Sequence, residues 1–243
     1  MKKLVKYLFL WVEDSFKVFK KRKFISVSKF YDRKYVNRIY KFNCTNGWKC
    51  EINELFKYIN FNKCEFILDY GCNTAELYEK LKTIDKKLHY VGVDVNEHAI
   101  TKAKMKESGN PKFSVMKVKS GQWPNLEQKI DIAIFSHSLG HIENPKYILS
   151  CLYKDVSKGS VVAIITPNLY FKITKVISNL INGYNSDRTV LCYYHKSSLK
   201  KLIQESGFKI KRMWYYGELG GSFFGLQMNL FRSRIFLIAE KKS

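Results

Sequence analysis

The sequence predicts an α/β fold: a mostly parallel sheet with helices on its faces and a ligand at the carboxyl ends of its strands. Two stretches carry the prediction. In Phe66-Ile67-Leu68-Asp69-Tyr70-Gly71-Cys72-Asn73-Thr74-Ala75-Glu76-Leu77, an apolar run ends on an acid, a glycine-containing turn follows, and a helix-like run begins at Glu76. A buried strand that feeds a tight turn into a helix N-terminus is the geometry that holds a nucleotide-like ligand. About twenty residues further on, where such sites place an acid for the ribose, Tyr90-Val91-Gly92-Val93-Asp94 reads as a second strand ending in an acid. A third observation is the alternation of strand and helix patterns that follows.

The elements can be justified in order. Residues 67–70 form the first strand, 75–83 a helix, 89–94 the second strand, and 97–108 a second helix that Asn96 can cap. Residues 112–117 read as a third strand, and 130–136 as a fourth that is apolar and buried. Residues 145–156 fit a helix, Lys158-Gly159 a turn, and 160–166 a β-branched fifth strand that Pro167-Asn168 breaks. After a loop-rich insertion, 197–206 is a helix stopped by Gly207, and 208–215 and 233–239 are the last strands. No internal repeat or low-complexity linker appears. The expected division is an N-terminal helical cap over residues 1–62 and a single catalytic-type domain over 63–243.

Within the cap, Leu4, Leu8, Trp11, Val12, Phe16 and Phe19 fall near helical spacing, with Lys2, Lys3, Lys6, Lys17 and Lys20 among them. Two readings are open for this segment: a helix packed on the domain, or a basic amphipathic helix in peripheral contact with a membrane or a partner. Tyr31, Tyr35 and Tyr40 follow, then a helix over 52–59.

The first two stretches resemble the class I S-adenosylmethionine-dependent methyltransferases, whose first motif reads roughly Asp-x-Gly-x-Gly-x-Gly. Gly71 matches the first glycine, while Asn73 and Ala75 stand at the second and third. Asn tolerates positive φ, and Ala is small enough for close helix–strand approach. The resemblance implies a Rossmann-like sheet of seven strands, mostly parallel with the last antiparallel, and S-adenosyl-L-methionine as cofactor. It implies that Asp94 accepts hydrogen bonds from both ribose hydroxyls, and that Asp69 orients the turn or meets the methionine end. Gly71, Cys72, Asn73, Ala75 and Ser136 would line the cofactor, with Val95 against adenine. Ser120 stands near where the family places an acid for the adenine amino group.

Asp131 through Pro145 is similar to the fourth-strand motif of ubiquinone-type and related small-molecule methyltransferases. Leu139, His141, Ile142 and Pro145 match, but Gly140 replaces a Glu that some relatives use with the His to hold a metal. No metal is expected here. His137 and His141 at the carboxyl end of that strand are the candidate catalytic residues, since an imidazole can take a hydroxyl proton near neutral pH. Further on, Thr166-Pro167-Asn168, then His195 to Leu199, then Leu202 to Phe208 look like the Pro-Asn … Ser-Leu … Leu-Leu-x-x-Ala-Gly-Phe pattern of these enzymes. Tyr31, Tyr35, Tyr184, Arg188 and Tyr194 are the candidate acceptor-binding residues, the last three on an insertion of a length that suits a lid.

Composition narrows the function classes. A chain of 243 residues with 46% hydrophobic and 15% aromatic residues is globular, not disordered. No run of about eighteen apolar residues exists, and the N-terminus does not read as a signal peptide. The six cysteines show no Cys-x-x-Cys spacing, which fits reduced thiols and a cytoplasmic setting, peripheral to a membrane if the basic segment binds one. The formal charge of +22 reads either as attraction for a polyanion such as RNA or as dispersed lysines on solvated faces. Three functions follow: O-methylation of a small molecule, sugar or glycan, or lipid-linked acceptor; RNA methylation; or an inactive binding module on the same fold.

Overall fold

The computed structural model describes residues 46–84, 88–106, 109–170, 190–219 and 232–241. The basic N-terminal segment, Tyr31, Tyr35, Tyr184 and Arg188 lie outside the described residues. A helix α1 (Asn46–Phe56) leads in, and a single 3-10 turn at Phe61–Lys63 precedes β1 (Phe66–Tyr70). Then come α2 (Glu76–Leu81), β2 (His89–Asp94), α3 (Glu97–Lys104), β3 (Phe113–Lys117) and β4 (Ile130–Ser136). A second 3-10 turn (Leu139–His141) leads to α4 (Pro145–Asp155), β5 (Val156–Pro167), α5 (Lys196–Glu205), β6 (Phe208–Leu219) and β7 (Arg232–Lys241).

The seven strands form one sheet in the order β3-β2-β1-β4-β5-β7-β6. β1 through β5 are mutually parallel, and β7 runs antiparallel to both β5 and β6. This is the Rossmann-like methyltransferase sheet, with the last strand reversed as expected. The fully buried runs explain the arrangement: central parallel strands are covered on both faces, and Ile132, Ala133, Ile134 and Phe135 of β4 are wholly inaccessible. On one face Trp48, Ile52 and Leu55 of α1 pack with Leu77, Tyr78, Ile100 and Ala103 of α2 and α3. On the other, Ile148, Leu149 and Leu152 of α4 pack with Leu199 and Ile203 of α5.

Local chemistry sets the helix starts. Asn96 accepts a hydrogen bond from the N–H of Ala99 at 2.9 Å, and Asn144 accepts one from Tyr147 at 3.1 Å with Pro145 at the first helical position. At α5, His195 and Ser198 cap each other's backbone reciprocally.

The helix expected over 52–59 spans Asn46–Phe56 instead, and two strands also run past their expected ends. Lys158-Gly159 is not a free turn but lies inside β5, where the register against β4 shifts between Ile130 and Ile132 and Gly159 takes φ +80°. β5 advances five residues, from Val156 to Val161, while β4 advances two, so three extra residues are absorbed as an irregularity rather than ending the strand. Likewise β6 runs to Leu219, because Gly217 at φ +88° accommodates a second register shift that carries pairing past Tyr216.

The order of the strands reverses between β1 and β4. In open α/β sheets a crevice for ligand forms at the carboxyl ends of the strands at such a point.

Candidate functional site

The first wall of that crevice is the turn after β1. The N–H groups of Gly71 and Cys72 both donate to the carbonyl of Val93, at 2.7 and 3.0 Å, which ties the turn to β2. Gly71 (φ +87°), Asn73 (φ +49°) and Ala75 (φ +58°) are all left-handed. The two positions where glycines are replaced therefore keep the glycine-type backbone. A side chain on Gly71 would collide with Ser138, whose hydroxyl donates to the carbonyl of Tyr70. The β1 and β4 turns are thus in direct contact across the switch point.

Asp94 anchors the second wall. One carboxylate oxygen accepts from the N–H of Asn73 and the other from the N–H of Asn96, both at 2.9 Å. The N–H of Val95 also bonds this carboxylate, whose two oxygens offer about four acceptor sites in all. Burial pushes this carboxyl above its usual range, with the backbone N–H groups pulling the other way. Asp69 is buried and accepts from the hydroxyl of Tyr90 at 2.7 Å. Its carboxyl is pushed up to about 7, by burial first and by the neighbouring Asp94 and Glu76, against the pull of Tyr90. Cys72 contributes backbone to the turn, while its buried thiol packs on Gly92. Val95 is half-buried against the second core layer.

Beyond β3, Ser120 donates to Glu143 at 3.2 Å. Glu143, which the sequence pattern does not mark, brings an acid to the loop that holds Ser120. No sequence signal could have linked positions 23 residues apart across a strand and a turn.

The third wall is the β4 turn. His137 takes φ +59°, and its N–H donates to Ile165 at 2.8 Å. Its Nε2 lies 2.6 Å from Oε2 of Glu51 on α1, and the other Glu51 oxygen lies 3.0 Å from Nε of Arg234 on β7. Burial raises the Glu51 carboxyl, but His137 and Arg234 outweigh it and hold the group below its usual range. His141 ends the 3-10 turn, half-buried, with its N–H donating to Ser138 at 2.9 Å. Gly140 has its own structural reason: its carbonyl accepts from Leu191 and Cys192, and a Cβ there would sit 2.8 Å from the carbonyl of Cys192. The space of the relatives' Glu is occupied by segment 190–192. Among the described residues no cluster of His, Cys, Asp or Glu could hold a metal.

Tyr194 is placed in the second core layer rather than in the crevice wall, its hydroxyl beside the Cys192 thiol and its carbonyl accepting from Leu169 at 2.8 Å. Asn168, fully buried, fixes this floor by donating from Nδ2 to the carbonyl of Arg232 at 2.8 Å.

Three buried polar atoms at the carboxyl edge have no partner among the described residues: Asn73 Oδ1, Ser136 Oγ and Thr166 Oγ1. Native proteins rarely leave such atoms unpaired. A polar ligand seated between the Gly71 turn, Asp94 and Ser136 fits these residues, with Asp94 as acceptor for a diol and the left-handed turn giving close backbone approach.

Comparison with known proteins agrees with this fold. A family profile described as a methyltransferase domain matches residues 44–212. Solved structures with the same fold include the plantazolicin methyltransferase BpumL bound to a desmethylPZN analogue and SAH, with 17% identity, a TM-score of 0.67, and coverage of 95% of this chain and 99% of that one. Magnesium protoporphyrin IX methyltransferase from Synechocystis PCC 6803 with bound SAH aligns at 16% identity and TM-score 0.64, covering 89% and 98%. A SAM-dependent methyltransferase from Archaeoglobus fulgidus aligns at 21% identity and TM-score 0.62, covering 86% and 100%. No curated protein sequence matches the chain.

Proposed function

Because the chain belongs to the methyltransferase-domain family and takes S-adenosylmethionine as its cofactor, we propose that it methylates a hydroxyl of a small molecule, sugar or glycan, or lipid-linked acceptor. The observation that carries the reading is His137, half-buried at the carboxyl end of β4 with its Nε2 engaged by Glu51. Bound cofactor supplies an activated methyl group; the chain's own contribution is alignment and the handling of one proton. Gly71, Cys72, Asn73 and Ala75 form the cradle, Asp94 holds the ribose, Val95 and Ser120 flank the adenine, and Asp69 and Ser136 stand at the inner end. His137 takes the acceptor's proton at Nδ1 when Nε2 carries the hydrogen shared with Glu51. His141 assists from the adjacent turn. Tyr31, Tyr35, Tyr184, Arg188 and Tyr194 are the residues proposed to bind the acceptor.

The division into residues 1–62 and 63–243 is part of the same proposal, with α1 as the piece of the N-terminal segment that reaches the site. Among the described residues no helix is long and apolar enough to cross a membrane.

The test incubates the protein with methyl-labelled S-adenosylmethionine and an extract of its source, then fractionates the products with and without nuclease. Label in a nuclease-resistant, base-stable small-molecule, glycan or lipid fraction supports hydroxyl methylation, whose methyl ether withstands mild base. Nuclease-sensitive label would replace this reading with RNA methylation. No label in any fraction would leave a binding module.

A further inference from the structure

We propose that Glu51 is the positioning residue for His137, and that Arg234 is the counter-charge that holds Glu51 in its ionised form. The inference rests on the reading of His137 as the proton acceptor, and adds two residues that the sequence pattern did not mark. Three separate elements converge here. Glu51 comes from α1, His137 from the turn after β4, and Arg234 from β7.

Burial makes the arrangement unusual. Glu51 is 8% exposed and the His137 side chain 23%, within a layer otherwise filled by Trp48, Ile52, Phe236 and their neighbours. A buried carboxylate carries a desolvation cost that apolar side chains of similar volume avoid. Packing alone therefore does not call for Glu51. Its two oxygens are divided between two partners, His137 on one side and Arg234 on the other.

The chemistry follows from that division. With Glu51 ionised, the proton of neutral His137 resides on Nε2, which fixes the tautomer and leaves the Nδ1 lone pair as the accepting atom. The Arg234 cation, 3.0 Å from the other Glu51 oxygen, helps keep that carboxylate ionised against its burial. The left-handed backbone of His137 holds the ring in this place, a conformation that persists only where surrounding structure over-determines it. Among the described residues the other titratable groups beside the cluster are Cys50, Glu54 and Lys57 on α1 and Tyr216 on β6, whose hydroxyl feels Glu51 and those three groups together.

Nuclear magnetic resonance of full-length protein carrying ring-15N histidine tests this without knowledge of the acceptor, by reading which ring nitrogen of His137 carries the hydrogen. Spectra are recorded with and without saturating S-adenosylhomocysteine, on wild type, Glu51→Met and Arg234→Met. Wild type is expected to show the hydrogen on Nε2 and Glu51→Met a mixture of the two neutral tautomers, with Arg234→Met weakening the Nε2 preference in the same direction. An unchanged preference in Glu51→Met, in protein whose remaining histidine signals are native, would overturn the inference. Failure of S-adenosylhomocysteine to shift any signal would instead overturn the cofactor site, and the ligand-free spectra would still decide the role of Glu51.

Discussion

Substituting Gly140 by alanine probes why this chain departs from its relatives at the β4 turn. The added Cβ would lie 2.8 Å from the carbonyl oxygen of Cys192, a backbone atom that cannot swing aside as a side-chain tip can. Segment 190–192 must move, and it is held there by the Leu191 and Cys192 N–H groups donating to the Gly140 carbonyl at 2.9 and 3.1 Å. Each backbone bond contributes about 1 kcal/mol net, so losing both costs about 2 kcal/mol. For a chain of this size that lowers Tm by roughly 4–8 °C. Differential scanning calorimetry on wild type and Gly140→Ala reads the effect, with urea midpoints as a second measure. A Tm within about 1 °C of wild type would refute the claim that the segment is seated on Gly140.

Further predictions concern the turn and its acids. Asn73→Gly removes a side chain from a left-handed position and deletes a buried oxygen without a partner, while keeping the N–H that donates to Asp94. It should raise the stability of the ligand-free protein by about 0.5–1 kcal/mol in urea denaturation and weaken S-adenosylhomocysteine binding, because the oxygen that would meet the ligand is gone. Asp69 has a folded-state carboxyl at about 7 against an ordinary 3.8, so the folded state holds the proton more tightly than the unfolded chain. Stability attributable to this group is full below pH 3.8 and is lost as pH rises toward 7. Asp69→Asn should therefore gain on wild type between those values, with a limiting slope of about 1.4 kcal/mol per pH unit. Parallel stability profiles for the two proteins would count against the buried, protonated Asp69.

The parts of the fold legible in the sequence were those written in contiguous residues. An apolar run ending on Asp69, the Gly71 turn, and a second run ending on Asp94 specify a strand, a turn and a strand by local pattern alone. Asn96 caps α3 as its position suggests. Asn73 and Ala75 keep the left-handed backbone of the glycines they replace, a conformation that the sequence permits but does not announce. What was not legible depends on pairings between distant residues. Glu51 and His137 are 86 positions apart, and on α1 the acid looks like any polar residue of an amphipathic helix. Gly140 reads as a lost metal ligand until segment 190–192 is seen lying across it. The bulges at Gly159 and Gly217 read as strand ends because a glycine marks a break as often as an irregularity that continues.

The most direct test of the central claim is calorimetric titration of S-adenosylhomocysteine into wild type and Asp94→Ala. Both Asp94 oxygens hold backbone N–H groups, so the variant also loses local order, and its fold is checked by circular dichroism in the same samples. Wild type should bind saturably. Loss of two charge-assisted bonds of about 1.5–3 kcal/mol each weakens binding by roughly 100-fold or more. Absence of saturable heat with wild type, or an affinity in folded Asp94→Ala within about threefold of it, would contradict a cofactor seated between the Gly71 turn and Asp94.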